Sequence, residues 1–191
     1  MDYDFSFEEE EETRPQGSWL EGDSLAPPCQ SDMSIVYSIL SFAQDFGGLC
    51  SEDVLYDLGC GDGRVCIEAA RLYGCRAVGC EIEDDLLHKF QHHINRRNLN
   101  DRVRVIAGDL RDVILSDATI IVLYLLPEAI AEIRPKLQEA ILRNARIICN
   151  TWGPKSWRPV QRLSCGFSNN VTLLLYDKSS IGEPLSNAIH L

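Results

Sequence analysis

Three acids each close an apolar run: Asp57 after "VLY", Glu81 after "AVGC" and Asp109 after "VRVIAG". The first is followed by "LGCGDGR", with glycines at 59, 61 and 63. A glycine turn that opens a helix offers free backbone N–H groups and ordinarily favours anions. The dinucleotide pattern G-x-G-x-x-G/A places a small residue where this chain has Arg64, which counts against a bound pyrophosphate. Carboxylates at Asp57 and Asp62 would repel phosphate but suit a cationic ligand. S-adenosylmethionine, with its ammonium and sulfonium, is such a ligand. Asp57 is expected to take the ammonium, directly or through water. The backbone at Gly59, Cys60, Gly61 and Gly63 lets the ligand approach closely. Glu81, 24 residues after Asp57, is expected to accept both ribose hydroxyls, and Asp109 the adenine amino group. Ile82 and Leu110, the neighbours of these two acids, and Tyr124 complete the expected cofactor set. Each signal has a plainer alternative: a helix cap for Asp57, a solvated strand-end acid for Glu81, a turn cap for Asp109. Their joint occurrence at three strand ends favours the cofactor.

The elements that must position these residues alternate. Residues 32–46 place Val36, Ile39, Leu40, Ala43 and Phe46 at helical spacing, with Ser31 or Asp32 as N-cap and a Gly47-Gly48 stop. Strands are expected at 54–56, 77–82, 103–107, 118–124 and 145–150, with helices at 65–73, 84–98 and 128–142 between them. Pro135 is expected to kink or divide the last helix. Two late strands, at 160–163 and 171–176, follow without a helix between them, which predicts an antiparallel hairpin at one edge. The fold class is therefore α/β: a Rossmann-like, doubly wound, mainly parallel seven-stranded sheet with an antiparallel C-terminal hairpin. Ligands in such sheets sit outside the carboxyl ends of the strands, where the strand order reverses.

The 191 residues suit one domain. The net charge of −11 is concentrated at the start: residues 1–23 hold nine acids against one base, residues 24–191 hold 20 against 17. A self-repelling run of five glutamates has little to bury, so residues 1–23 are expected to be a disordered tail, or else a recruiter of a basic partner. The domain is expected over 24–178, with a further tail over 179–191. None of the eight cysteines forms a C-x-x-C pair, and no His/Cys cluster has zinc spacing. No metal site is expected. Cys60, Cys66, Cys80 and Cys149 fall within core elements and read as small apolar residues of a reducing compartment. The longest apolar run, 118–127, is far below the ~20 residues that span a bilayer. The acidic start suits neither secretion nor a mitochondrial presequence. A soluble, cytoplasmic or nuclear protein is expected, with no membrane insertion.

The motif "DLGCGDGR", with "VGCEIE", "GDL" and "SDATIIVLYLLPE", resembles class I methyltransferases over about residues 25–178. Within them it is most similar to the small protein-lysine methyltransferases, the archaeal broad-specificity enzyme and the mitochondrial enzymes that modify the c-subunit of ATP synthase and the adenine nucleotide translocase. "RPKL", "ARIICN" and the W-x-P at Trp157 to Pro159 add to the likeness. "NTWGPKSW" after the fifth strand departs from the family's usual stretch, and the acidic tail departs from the mitochondrial N-termini. The resemblance implies attack by a lysine amine on the cofactor's methyl, releasing S-adenosylhomocysteine, and a protein partner that carries the target lysine. A monomer is expected.

Tyr124 is expected beside the transferred methyl, with Pro127, Trp152 and Trp157 lining a substrate channel. Packing at a strand end is the other reading of Tyr124, and packing of the hairpin is the other reading of Trp157. Glu128 either accepts the lysine proton or caps the following helix. His88, His92 and His93 lie on one helix without a matching carboxylate and read as a solvated face. The basic cluster Arg96, Arg97, Arg102 and Arg104 is small for a nucleic-acid surface, and "LYLLP" lacks the Asn/Asp-Pro-Pro-aromatic pattern of base methylation, so nucleic acid is not expected. An RNA or small-molecule methyltransferase, or a non-catalytic cofactor-binding scaffold, stays as the alternative.

Overall fold

A computed structural model describes residues 31–181. The expectations for residues 1–23, for the segment 25–28 and for 182–191 lie outside it. The chain runs α1 (Met33–Gly47), β1 (Val54–Leu58), α2 (Arg64–Tyr73), β2 (Arg76–Glu81), α3 (Asp84–Arg96), β3 (Val103–Ala107), β4 (Ile120–Leu123), α4 (Pro127–Leu142), β5 (Arg146–Asn150), β6 (Gln161–Cys165) and β7 (Val171–Tyr176), with 3₁₀ turns at Phe167–Asn169 and Lys178–Ile181. All seven strands form one sheet in the order β3-β2-β1-β4-β5-β7-β6. β1 to β5 are parallel, with Leu55 opposite both Ala77 and Ile120. The late pair is antiparallel, Ile148 facing Leu175. The expected fold class is the observed one.

Alternation along each strand feeds two cores. Leu55, Ala77, Ile120, Val122 and Ile148 pack with α1, α2 and α3. Val54, Tyr56, Leu58, Val78, Ile121 and Ile147 pack with α4 and the 110–118 connection. β1 and β4 are buried at every position, as strands covered on both faces must be. The strand order reverses between β1 and β4, which connect outward in opposite senses.

Three features differ from expectation. β4 is shorter than 118–124, leaving Tyr124 past the end of the ladder. Phe46 is 52% exposed and lies edge-on to Phe42 instead of entering the core. α4 is one uninterrupted helix despite Pro135. Pro135 and Ala131, whose carbonyl loses its N–H partner, are both exposed, so water can take that carbonyl. Asp32, not Ser31, caps α1: its carboxylate accepts from Ile35 N at 3.1 Å.

Candidate functional site

The site is built where β1 ends. Gly59 N and Cys60 N both donate to Cys80 O, at 2.9 and 3.0 Å, which straps the turn onto β2. Gly63 N then donates to Cys60 O at 3.0 Å, and α2 begins. Gly63 is left-handed, with φ 79°, and Phe90 of α3 lies where a Cβ would sit, 1.9 Å away. Only glycine permits both.

Three acids converge on this turn in different states. Glu81 is buried, and its carboxylate accepts three backbone N–H groups: Gly61 at 2.9 Å on one oxygen, Ile82 at 2.7 Å and Glu83 at 3.0 Å on the other. A carboxylate offers about four acceptor positions, so capacity is left for a hydroxyl. Asp62 is gripped by Arg64, Nε to Oδ1 at 2.9 Å and Nη2 to Oδ2 at 2.7 Å. Asp57, 5% exposed, accepts no hydrogen bond from the described residues. Burial, and then the charges of Glu81 and Asp62, push its carboxyl up to about 7. A buried carboxylate without a partner is costly, and a cation placed against it removes that penalty. The cradle therefore fits the ammonium of S-adenosylmethionine.

Around this centre, Ile82 projects from the end of β2 with 65% exposure, an apolar face beside Glu81. Asp109 is not an open acceptor: the Arg111 guanidinium forks onto it, with Nε 3.0 and 2.9 Å from its two oxygens, and holds its carboxyl below the usual carboxylate range. Sequence reasoning passed over Arg111, although a D-x-R spacing was visible. Leu110 is buried in the α4-side core. Lys136, from the "RPKL" segment, donates to the carbonyls of Leu110 at 3.2 Å, Val113 at 3.0 Å and Arg111, and so pins the connection that carries Asp109 and Leu110.

Across the reversal point, Tyr124 and Trp152 face each other, centroids 6.3 Å apart and planes within 9°. β4 and β5 are adjacent and parallel, with partners 26 positions apart such as Leu123 and Cys149, so Tyr124 and Trp152, one and two residues beyond their strands, leave the same edge. Pro127 is the first residue of α4, and Glu128 is exposed in its first turn, where a carboxylate meets the positive end of the helix. Trp157 takes the packing place: it is 8% exposed and edge-on to Tyr176 at 6.1 Å. Its ring packs in the hairpin's core, the other of its two expected readings. Buried Asn150, at the end of β5, was not foreseen; its Nδ2 donates to Ser31 Oγ at 3.4 Å, and Thr151 Oγ1 donates to its Oδ1 at 2.9 Å. Among the described residues, His88, His92 and His93 are part of no group of three or more side chains able to hold a metal, and no helix is long and apolar enough to cross a membrane.

The ribose assignment gives a first test. Glu81→Ala removes the acceptor of three N–H groups as well as the expected hydroxyl partner. S-adenosylmethionine affinity measured by calorimetry should fall at least about tenfold, from lost charge-assisted bonds of ~1.5–3 kcal/mol each. Equal affinity in both proteins contradicts the assignment.

Comparison with known proteins places this geometry. Residues 57–161 match the ANTKMT methyltransferase domain family. The chain is 31% identical over 127 residues to a protein-lysine N-methyltransferase of Saccharolobus islandicus, a match covering 65% of this chain and 79% of that one. It is 28% identical over 131 residues to the human lysine N-methyltransferase of the ATP synthase C-subunit, but spans only 54% of that longer protein. Among solved structures, it superposes on an RNA methyltransferase from Salinibacter ruber in complex with S-adenosyl-L-homocysteine, with TM-score 0.72 and 30% identity, covering 85% of this chain and all of that one.

Proposed function

The chain belongs to the ANTKMT methyltransferase domain family, and on that premise we propose that it moves a methyl group from S-adenosylmethionine to a lysine side chain of another protein. It is an S-adenosylmethionine-dependent methyltransferase; the lysine acceptor is the finer reading. The observation that carries it is the parallel Tyr124–Trp152 pair at the edge of the cofactor turn. Aromatic faces attract an ammonium and pack along its alkyl stem.

S-adenosylmethionine supplies a methyl already activated by its sulfonium. The protein's task is to deliver an uncharged amine in line with it. Removing a proton from lysine at pH 7 costs about 4.6 kcal/mol, from a reference pKa of ~10.4. Aromatic walls reduce that cost by penalising the charged form. Tyr124 orients the amine with its ring or hydroxyl. Glu128, exposed at the start of α4, attracts the cationic side chain to the rim, and water carries the proton away. Trp157 packs the hairpin and contributes no wall.

Domain extent, state and compartment follow the same reading: a domain over residues 24–178, acting as a monomer in the cytoplasm. All seven described cysteines are free thiols, which supports a reducing compartment.

The decisive experiment incubates the protein and labelled S-adenosylmethionine with a cell lysate, then separates protein, RNA and small-molecule fractions. Base-stable label mapping to lysine is the expected result. Label in RNA favours the second reading, for which the named activity of the Salinibacter relative is the specific support. Trp152→Ala should raise KM for the protein substrate roughly 3- to 30-fold, the ~0.5–2 kcal/mol of one cation–π face, with cofactor affinity unchanged. Tyr124→Phe should act mainly on kcat. Cofactor affinity falling in step with KM in Trp152→Ala would remove Trp152 from the acceptor channel.

A further inference from the structure

Arg64 stands where nucleotide-binding turns need a small residue, and its contacts give a reason. Nε and Nη2 fork onto Asp62 at 2.9 and 2.7 Å, while Nη1 donates to the carbonyl of Ser31 at 2.8 Å. Both side chains of the pair are largely buried, 18% exposed for Arg64 and 8% for Asp62. Ser31 is also held by Asn150 and directly precedes Asp32, the cap of α1. One guanidinium thus ties the glycine turn to the start of α1.

We infer that Arg64 is a positioning residue of the cofactor site: by pairing with Asp62 and fixing the turn to Ser31, it leaves Asp57 as the turn's available counter-charge for the bound cation. This rests on the reading of the turn as the S-adenosylmethionine site. The three acids divide the work. Glu81 is satisfied by three N–H groups, Asp62 by Arg64, and Asp57 by no described residue. With Arg64 in place, the Asp62 charge is already the smallest of the three causes that raise the Asp57 carboxyl, after burial and Glu81; without Arg64 that buried carboxylate is uncompensated and raises it further. Two like charges in one site cannot both ionise freely, so Asp57 would hold its proton to higher pH and meet the cofactor neutral. The groups facing Asp57 are Glu81 and the Cys80 thiol from β2, Asp62 from the turn, and the thiols of Cys60 and of Cys66 from α2. Those facing the Asp62–Arg64 pair are Asp32 at the start of α1 and His93 of α3, with Arg97 and His92 beside the latter.

The test is S-adenosylmethionine affinity by calorimetry from pH 5.5 to 8.5, paired with carboxyl carbon NMR titration of Asp57 in the ligand-free protein. Arg64→Gln should move both midpoints up by about half a pH unit or more and weaken binding at pH 7 about 3- to 10-fold, with less loss at pH 8.5. The double variant Asp62→Asn with Arg64→Gln should return the midpoints to the wild-type position or below it. Arg64→Lys keeps the charge without the fork, so it should keep the midpoints; it also serves if the glutamine variant does not fold. A loss of affinity equal at every pH, or midpoints that stay raised in the double variant, overturns the inference and reduces Arg64 to a support of turn shape. No binding by the wild-type protein at any pH would instead defeat the assignment of the turn itself.

Discussion

Asp57→Asn should make the ligand-free protein more stable at neutral pH while weakening S-adenosylmethionine binding by about a hundredfold. The first effect follows from linkage. Burial raises the Asp57 carboxyl from 3.8 to about 7 in the folded protein. A group whose folded pKa is raised contributes stability that is fully present below the unfolded pKa and is lost as pH rises through the folded one. Between about pH 4 and pH 8 this one group therefore withdraws about 4 kcal/mol, at ~1.36 kcal/mol per unit. Asparagine cannot ionise, so thermal denaturation of the variant should lose that part of the pH slope.

The binding effect has the opposite sign. An ammonium needs Asp57 ionised, so wild-type affinity should rise roughly tenfold per pH unit below about 7 and level off above it. The variant should show a weak, flat profile, having lost a buried charge-assisted contact of ~3 kcal/mol. Identical pH slopes of stability in the two proteins, or undiminished cofactor affinity in the variant at pH 8, would remove Asp57 from its place beneath the cation.

Gly63→Ala should destabilise the protein by about 2–5 kcal/mol. Two penalties combine. The position has φ 79°, and its new Cβ would meet three atoms of the Phe90 ring at 1.9–2.4 Å. A non-glycine residue in that region stores about 1–3 kcal/mol, and overpacking a filled core costs a similar amount. Phe90 cannot step aside: it is fully buried and also lies against Gly79, 2.5 Å from where that Cβ would be. In a chain of this size the loss corresponds to a fall in Tm of roughly 4–20 °C. Adding Phe90→Leu should recover part of it beyond simple additivity, because the ring is the clash partner. A single substitution costing under about 1 kcal/mol by denaturant titration, with no coupling to position 90, would show that the turn and α3 are not locked together as described.

The sheet was legible because its signals are local. Apolar runs ending in acids, glycines closing α1 and α2, and two late strands without a helix between them each need only neighbours in sequence. The same holds for the cofactor turn, where Gly59, Gly61 and Gly63 follow Asp57 directly. Pro135 shows the limit of a local rule. It does not divide α4, because whether a lost hydrogen bond breaks a helix depends on which face holds the orphaned carbonyl. Phe46 shows the same limit: helical spacing put it with the core residues, but it lies at the helix's end beyond them.

By itself, the order of residues determined the elements, their parallel arrangement and the set of acids able to meet a cation, since periodicity and turn chemistry act within a few residues. Folding alone decided how those acids differ. Arg64 compensates Asp62, Arg111 covers Asp109, three backbone N–H groups hold Glu81, and Asp57 has no partner among the described residues. It likewise brought Tyr124 to Trp152 and sent Trp157 into the hairpin. The physical reason is that a side chain's charge state and partners depend on burial and on groups within a few ångströms in space, and chain distance carries little information about either.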